Sequence, residues 1–99
     1  TVIIWDAKSG EKLQTLEGHS SFVTSVSWSP DGKYLASGSY QWNGVENIGC
    51  IKIWDAIGAK EIQTLHRHSN IVNSVCWSPD GKYLVSGSGD ETVIIWGVE

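Results

Sequence analysis

Residues 12–39 read KLQTLEGHSSFVTSVSWSPDGKYLASGS, and residues 61–88 read EIQTLHRHSNIVNSVCWSPDGKYLVSGS. The two stretches align without a gap at an offset of 49, and 19 of the 28 positions are identical. A fixed period above about 20 residues marks arrays of stacked supersecondary units, solenoids or propellers, in which one unit cannot bury its own faces. Function is therefore sought first in a stack of units and only then in a pocket.

Each copy reads as strands. Short apolar runs recur about every ten residues between turn clusters, with no helical period, which is the pattern of an all-β sandwich, barrel or propeller. Strands are expected at 2–5, 12–16, 23–28, 34–39, 51–54, 61–65, 72–77, 83–88 and 93–96. Ser29-Pro30-Asp31-Gly32 and Ser78-Pro79-Asp80-Gly81 combine a fixed proline φ, a capping carboxylate and a glycine suited to positive φ, so each predicts a tight hairpin. Val23, Val26 and Trp28 are spaced by three and then two, which predicts a β-bulge early in that strand.

Of the six tryptophans, Trp5, Trp54 and Trp96 end the β-rich runs TVIIW, CIKIW and TVIIW, while Trp28 and Trp77 precede the SPDG turns. Trp42 alone falls outside the pattern and is expected outside any strand. The run TVIIW occurs at residues 1–5 and again at 92–96, so the sequence ends near the point of the repeat at which it begins.

The 99 residues carry a net charge of −4 and an isoelectric point near 5.2. Seven Lys and Arg are scattered singly, and no basic stripe could neutralise phosphates, so no nucleic-acid partner is expected. No apolar run reaches membrane-spanning length and no signal-peptide pattern opens the chain, so no membrane partner is expected. The sequence contains no Met and reads as a processed chain or a segment of a longer one. Cys50 and Cys76 lie in apolar strand-like runs without framework spacing, which favours reduced, buried thiols in a cytoplasmic protein.

A Gly-His or Arg-His pair, a strand, SPDG, a strand ending Ser-Gly-Ser and a strand ending in Trp or Trp-Asp follow one another in both copies. This order resembles the WD-repeat family of β-propellers, over the whole chain apart from about residues 40–49. The resemblance implies blades of four antiparallel strands, innermost a to outermost d, around a central channel. Residues 1–17 would then hold strands c and d of a preceding blade, and 18–66 a full blade with a b–c loop insertion at 40–49. Residues 67–99 would hold strands a, b and c of an incomplete blade. The fold expected is all-β, two blades per chain with an extra partial strand.

His68, Ser86, Asp90 and Trp96 could be taken for a hydrolase triad with a neighbouring indole. The family resemblance implies instead a structural hydrogen-bond network running from Trp to Ser, from Ser to His and from His to Asp. Such a network gives partners to groups that burial would otherwise leave unpaired. A triad also needs an oxyanion hole and an open nucleophile, and the sequence suggests neither. In the first copy His19, Ser37 and Trp54 match, but Gln41 stands where the second has Asp90. Seven residues are inserted between Ser39 and Trp54 relative to Ser88 and Trp96. Glu46 is the carboxylate nearest to hand in that insertion, the sequence leaves open whether it takes the Asp's place, and a weaker or water-completed network is expected there. Arg67 replaces the Gly before His68, which questions the local turn, and Gly97 replaces the Asp after the last Trp.

His66 and His68 lie two apart, but one is assigned to the network and zinc needs three or four converging ligands, so no metal is expected. No cofactor is expected either. The resemblance also implies a partner-binding face at the d–a and b–c loops, carried onto Phe22, Thr24, Tyr40, Ile71, Asn73 and Gly89, to which the insertion adds Trp42. These side chains suit peptide or protein contact and supply no acid–base pair.

The function expected is a non-enzymatic protein-interaction scaffold. Two blades leave apolar faces uncovered, so the chain is expected to pair with itself head to tail in a closed ring of three to five copies, with four favoured. Closure is expected to use strand exchange, residues 12–16 of one copy completing the sheet that ends at Trp96 of the next. Two other readings are a piece of a larger regulatory protein whose propeller is the targeting domain, and an engineered repeat fragment made to study assembly.

Overall fold

The SPDG turns adopt one conformation in both copies. In the computed structural model the Ser29 hydroxyl donates to Asp31 Oδ1 (2.6 Å), which also accepts from the Lys33 N–H (3.0 Å), and Tyr34 N donates back to Ser29 Oγ (3.0 Å). Ser78, Asp80, Lys82 and Tyr83 repeat this at 2.6, 3.0 and 3.1 Å. Gly32 and Gly81 supply the positive φ, +75° and +76°. Each turn thus satisfies its own backbone and reverses the chain without help from neighbours.

The structure describes residues 2–5, 8–19, 22–42, 44–58, 60–66 and 68–97. Among them nine strands form three antiparallel sheets. The first pairs β1 (Val2–Trp5) with β2 (Lys12–Leu16); the middle runs β3 (Ser25–Trp28), β4 (Tyr34–Trp42), β5 (Asn47–Asp55), β6 (Lys60–Leu65). The third runs β7 (Val72–Trp77), β8 (Tyr83–Ser88), β9 (Val93–Gly97). The chain is all-β, and every neighbouring pair of strands is consecutive in sequence.

Strand alternation gives the middle sheet two apolar faces. Leu35 and Trp54 on one face join Val2 and Leu16 of the first sheet in a buried cluster. Ala36 and Ile51 on the other meet Val72, Val75 and Leu84 of the third. Polar links register the second contact: Val75 N donates to Ser25 Oγ (3.2 Å) and the Trp77 indole N–H to Ser27 O (3.1 Å). The Thr24 hydroxyl donates to Val72 O.

Three expectations are corrected. The insertion at 40–49 is not a loop: β4 and β5 are nine residues each and stay paired through Tyr40↔Gly49, Gln41↔Ile48 and Trp42↔Asn47. The inserted residues therefore lengthen a hairpin, because their backbone groups pair with each other at the same register as the blade below. Trp42 accordingly lies inside β4, with 60% of its surface exposed. The bulge expected in the first copy is found in the second, where register shifts between Val72 and Ser74. In the first copy the ladder starts only at Ser25, and Thr24 N donates to Gly38 O (2.9 Å) ahead of it. The turn question raised at Arg67 lies outside the described residues.

Candidate docking face and internal polar network

His68 is brought to Ser86 by the step from the β6–β7 connection back across β8. Trp96 Nε1 donates to Ser86 Oγ (2.8 Å), Ser86 Oγ lies 2.7 Å from His68 Nε2, and His68 Nδ1 lies 3.1 Å from Asp90 Oδ2. One tautomer satisfies all three, with the Ser hydroxyl donating to Nε2 and Nδ1–H donating to the carboxylate. Asp90 is held well below the usual carboxylate range, first by the Thr92 hydroxyl and then by the Ser69 and Thr92 N–H groups and His68. The same carboxylate thus ties the β8–β9 turn to the start of the β6–β7 connection, through Thr92 N (2.9 Å) and Ser69 N (2.9 Å).

The order Asp–His–Ser matches a triad in bonding but not in access. Ser86 is fully buried and His68 is 2% exposed, with the Trp96 ring edge-on at 6.4 Å. A substrate carbonyl could not reach Ser86 Oγ without unpacking the interface.

In the middle sheet Trp54 Nε1 donates to Ser37 Oγ (2.8 Å), which lies 2.6 Å from His19 Nε2. These bonds are as short as those of the second copy. What is missing is the far end: among the described residues His19 Nδ1 has no carboxylate partner, and Gln41 is exposed on the hairpin. Burial, with Lys52 second, pushes the His19 pKa down to about 4.

That lysine is the residue sequence reading missed. Lys52 is 8% exposed, and its ammonium donates to Glu61 Oε2 (2.8 Å) and Thr64 Oγ1 (3.1 Å). Lys52 holds the Glu61 carboxyl below its ordinary range. The signal was present: two residues before Trp5 and Trp96 the chain has Ile3 and Ile94, and before Trp54 it has Lys.

The residues carried to the partner face lie at the end of the sheets that bears the β2–β3, β4–β5, β6–β7 and β8–β9 connections. Phe22 is 76% exposed, stands edge-on to Tyr40 at 6.4 Å, and its carbonyl accepts from the Ser39 hydroxyl (2.6 Å). Tyr40 and Trp42, two apart in β4, share the face that looks toward the third sheet. Thr24 is not available in the same way, its hydroxyl being bonded to Gly38 O (3.1 Å) and Val72 O. Asn73 and Gly89 are exposed and Ile71 is half-buried, with Gly89 N donating to Ile71 O (3.0 Å). The structure therefore brings Phe22 to Tyr40 and Ile71 to Gly89, and leaves Thr24 to the contact between sheets.

The hairpin is fixed against the next sheet. Gly49 N donates to His68 O (2.8 Å), and a Cβ on Gly49 would lie 2.5 Å from Asn70 O and 2.6 Å from His68 Cβ. Only glycine permits that approach.

At the opposite end a cleft of about 450 Å³ separates the middle and third sheets, lined by Asp31, Tyr34, Ile53, Gln63, Trp77 and Asp80 among others. In the first gap the β5–β6 turn takes part of the equivalent space, Gln14 Nε2 donating to Ile57 O (2.9 Å), and a smaller hollow of about 230 Å³ remains beside Ile4 and Trp28. Gln14 and Gln63 are the same position of the repeat. That cleft is a place where the repeat packs a turn, not an assembled site. Among the described residues no three His, Cys, Asp or Glu side chains converge as metal ligands would.

The WD40 family model (WD domain, G-beta repeat) matches residues 10–44 and 59–97. Ribosome assembly protein 4 of Chaetomium thermophilum is 60% identical over 35 residues, 35% of this chain and 7% of that protein. One component of chromatin assembly factor 1 of Mus musculus is 46% identical over 37 residues, 37% of this chain and 6% of that protein. The solved structure of U3-55K superimposes with a TM-score of 0.83 at 33% identity, over 97% of this chain and 29% of that chain. The chain thus spans a small part of the relatives it matches. With stacked antiparallel sheets, the Trp–Ser–His bonding in both copies and a family match over most of its length, the chain belongs to the WD40 repeat family of β-propellers.

Proposed function

We propose that the chain is a non-enzymatic scaffold segment that holds a protein partner at the end of its blades carrying Phe22, Tyr40 and Trp42. The observation that carries this reading is a contrast of exposure. Ser86, the nucleophile of the Asp90-His68-Ser86 alignment, is 0% exposed, whereas Phe22 and Trp42 are 76% and 60% exposed. Aromatic side chains left in water on a rigid frame suit contact with another protein. Two relatives bear the names of assembly proteins, for ribosomes and for chromatin, and the same class of work is our reading here. The free thiols Cys50 and Cys76 fit a reducing compartment such as the cytoplasm.

A photo-crosslinking residue at position 42 should give discrete protein adducts that the same residue at position 82, on the opposite end, does not. Equal adducts from both positions would sink the docking face. An esterase and peptidase screen should show no turnover; activity abolished in a folded Ser86→Ala variant would overturn the non-enzymatic reading.

A second reading concerns the 99-residue chain by itself: head-to-tail closure into a ring of its own copies. Its support is that the open faces match the filled ones. The third sheet exposes Ser74, Cys76, Val85, Val93 and Ile95 where the middle sheet packs Ser25, Ser27, Ala36, Ile51 and Ile53. The middle sheet leaves Val26 and Trp28 half-exposed (51% and 49%) where the third buries Val75 and half-buries Trp77. A following copy could repeat the Val75–Ser25 and Trp77–Ser27 bonds as Val26–Ser74 and Trp28–Cys76. Strand exchange would add β2 of one copy to the free edge of β9 in the next. In a longer polypeptide, neighbouring repeats would cover the same faces. Native mass spectrometry should give three to five times 10.8 kDa, four being favoured. A folded monomer at micromolar concentration would rule the ring out.

A further inference from the structure

The charges of the chain are divided unevenly between the two ends of its sheets. Among the described residues, the connecting segments at the hairpin end carry Glu17, Glu46, Asp90 and Glu91 and no Lys or Arg. In the connections and strand ends at the opposite end, Lys8, Lys12, Lys33, Lys60 and Lys82 stand against Glu11, Asp31, Asp55 and Asp80. Lys52 and Glu61 cancel inside the middle sheet. The excess negative charge of the described residues therefore sits at the end where the aromatic hairpin stands.

Phe22, Tyr40 and Trp42 make a row at that end. Phe22 is edge-on to Tyr40 at 6.4 Å, and Trp42 follows Tyr40 on the same face of β4, about 7 Å further along. The row is held rigid from below by the Gly49–His68 backbone bond and by Ser39 bonded to the Phe22 carbonyl. Aromatic faces inside a negative potential attract guanidinium and ammonium groups twice over, through the ring quadrupole and through the carboxylate field. An acidic or neutral segment would gain only the apolar contact.

We propose that the hairpin receives a basic, extended segment of a partner protein, with arginine or lysine side chains laid over Trp42 and Tyr40, inside the negative field of that end of the sheets. This rests on the docking face proposed above and adds the chemistry of what docks there. The insertion, absent from the second copy, is what makes this end of the middle blade different from the others.

The test uses the protein that carries this sequence, titrated with a blocked peptide alternating arginine and serine, and with its counterpart having glutamate for arginine. Binding is read by calorimetry. The arginine peptide should bind, weaken as salt rises, and lose at least about fivefold in affinity on Trp42→Ala, while Trp42→Phe keeps most of it. Thermal melts of both variants should match the parent, since Trp42 is 60% exposed. Equal affinity for the two peptides, with both sensitive to Trp42→Ala, would overturn the basic partner and leave the docking face standing. Binding of the arginine peptide that ignores Trp42→Ala would overturn the inference and remove the hairpin from the docking face as well.

Discussion

Deleting the Ser86 hydroxyl leaves the Trp96 indole N–H and His68 Nε2 facing each other across a gap with no partner inside a closed interface. Ser86→Ala should lower stability by about 1–3 kcal/mol in urea unfolding, the range for stranded buried polar groups, without touching any turnover. His19 gives a pH signature of its own. Its folded pKa near 4 is below the ordinary value of 6.5, so between these two values the unfolded chain binds the proton more readily. Stability is full above pH 6.5 and falls as pH drops toward 4, and His19→Gln should flatten that part of the denaturation profile. The family resemblance made both networks legible: an offset of 49 carries His19 to His68 and Ser37 to Ser86, while the insertion cuts the Trp54-to-Trp96 offset to 42 and leaves Asp90 without a counterpart. Lys52 was not legible, because a charged residue inside a β-rich run reads as a solvated position until Glu61 and Thr64 are seen beside it.

At the scale of elements, the strands flanking the SPDG turns could be read directly, since turn chemistry and alternation agree there. The hairpin could not. Ser-Gly-Ser ends β8, and its identity in the first copy suggested the same end for β4, whereas the ladder runs on to Trp42. The overlooked signal was the Asn-Gly pair at 43–44, a strong hairpin marker; Gly44 has a φ of +99°. Gly49→Ala should be costly despite its small size, because the added Cβ would meet backbone at 2.5 Å. We expect a loss of more than about 2 kcal/mol, with the 68–70 segment or the hairpin forced to shift. Replacing the insertion by the short turn of the second copy should keep the fold, and circular dichroism with a thermal melt would show it.

At the scale of the molecule, the sequence showed that repeated units must stack, and the structure shows how: two buried clusters, one on each face of the middle sheet. The outer faces carry Trp5, Val93 and Ile95, exposed by 57%, 70% and 68%. If copies associate, Ile95→Glu should hold the chain monomeric in native mass spectrometry, because a carboxylate would be stranded in an apolar contact. Which molecule covers those faces was not legible, since identical faces fit a neighbouring repeat and a second copy equally well.

Gly49 joins the backbone of the middle sheet to the connection that leads into the third, at the root of the hairpin and not at its tip. Any pull on a molecule gripping Trp42 is thus delivered to two blades together, across the seam between them. The hairpin is anchored like a bracket screwed into two planks, and a tug on it tightens or opens the joint before it peels either sheet.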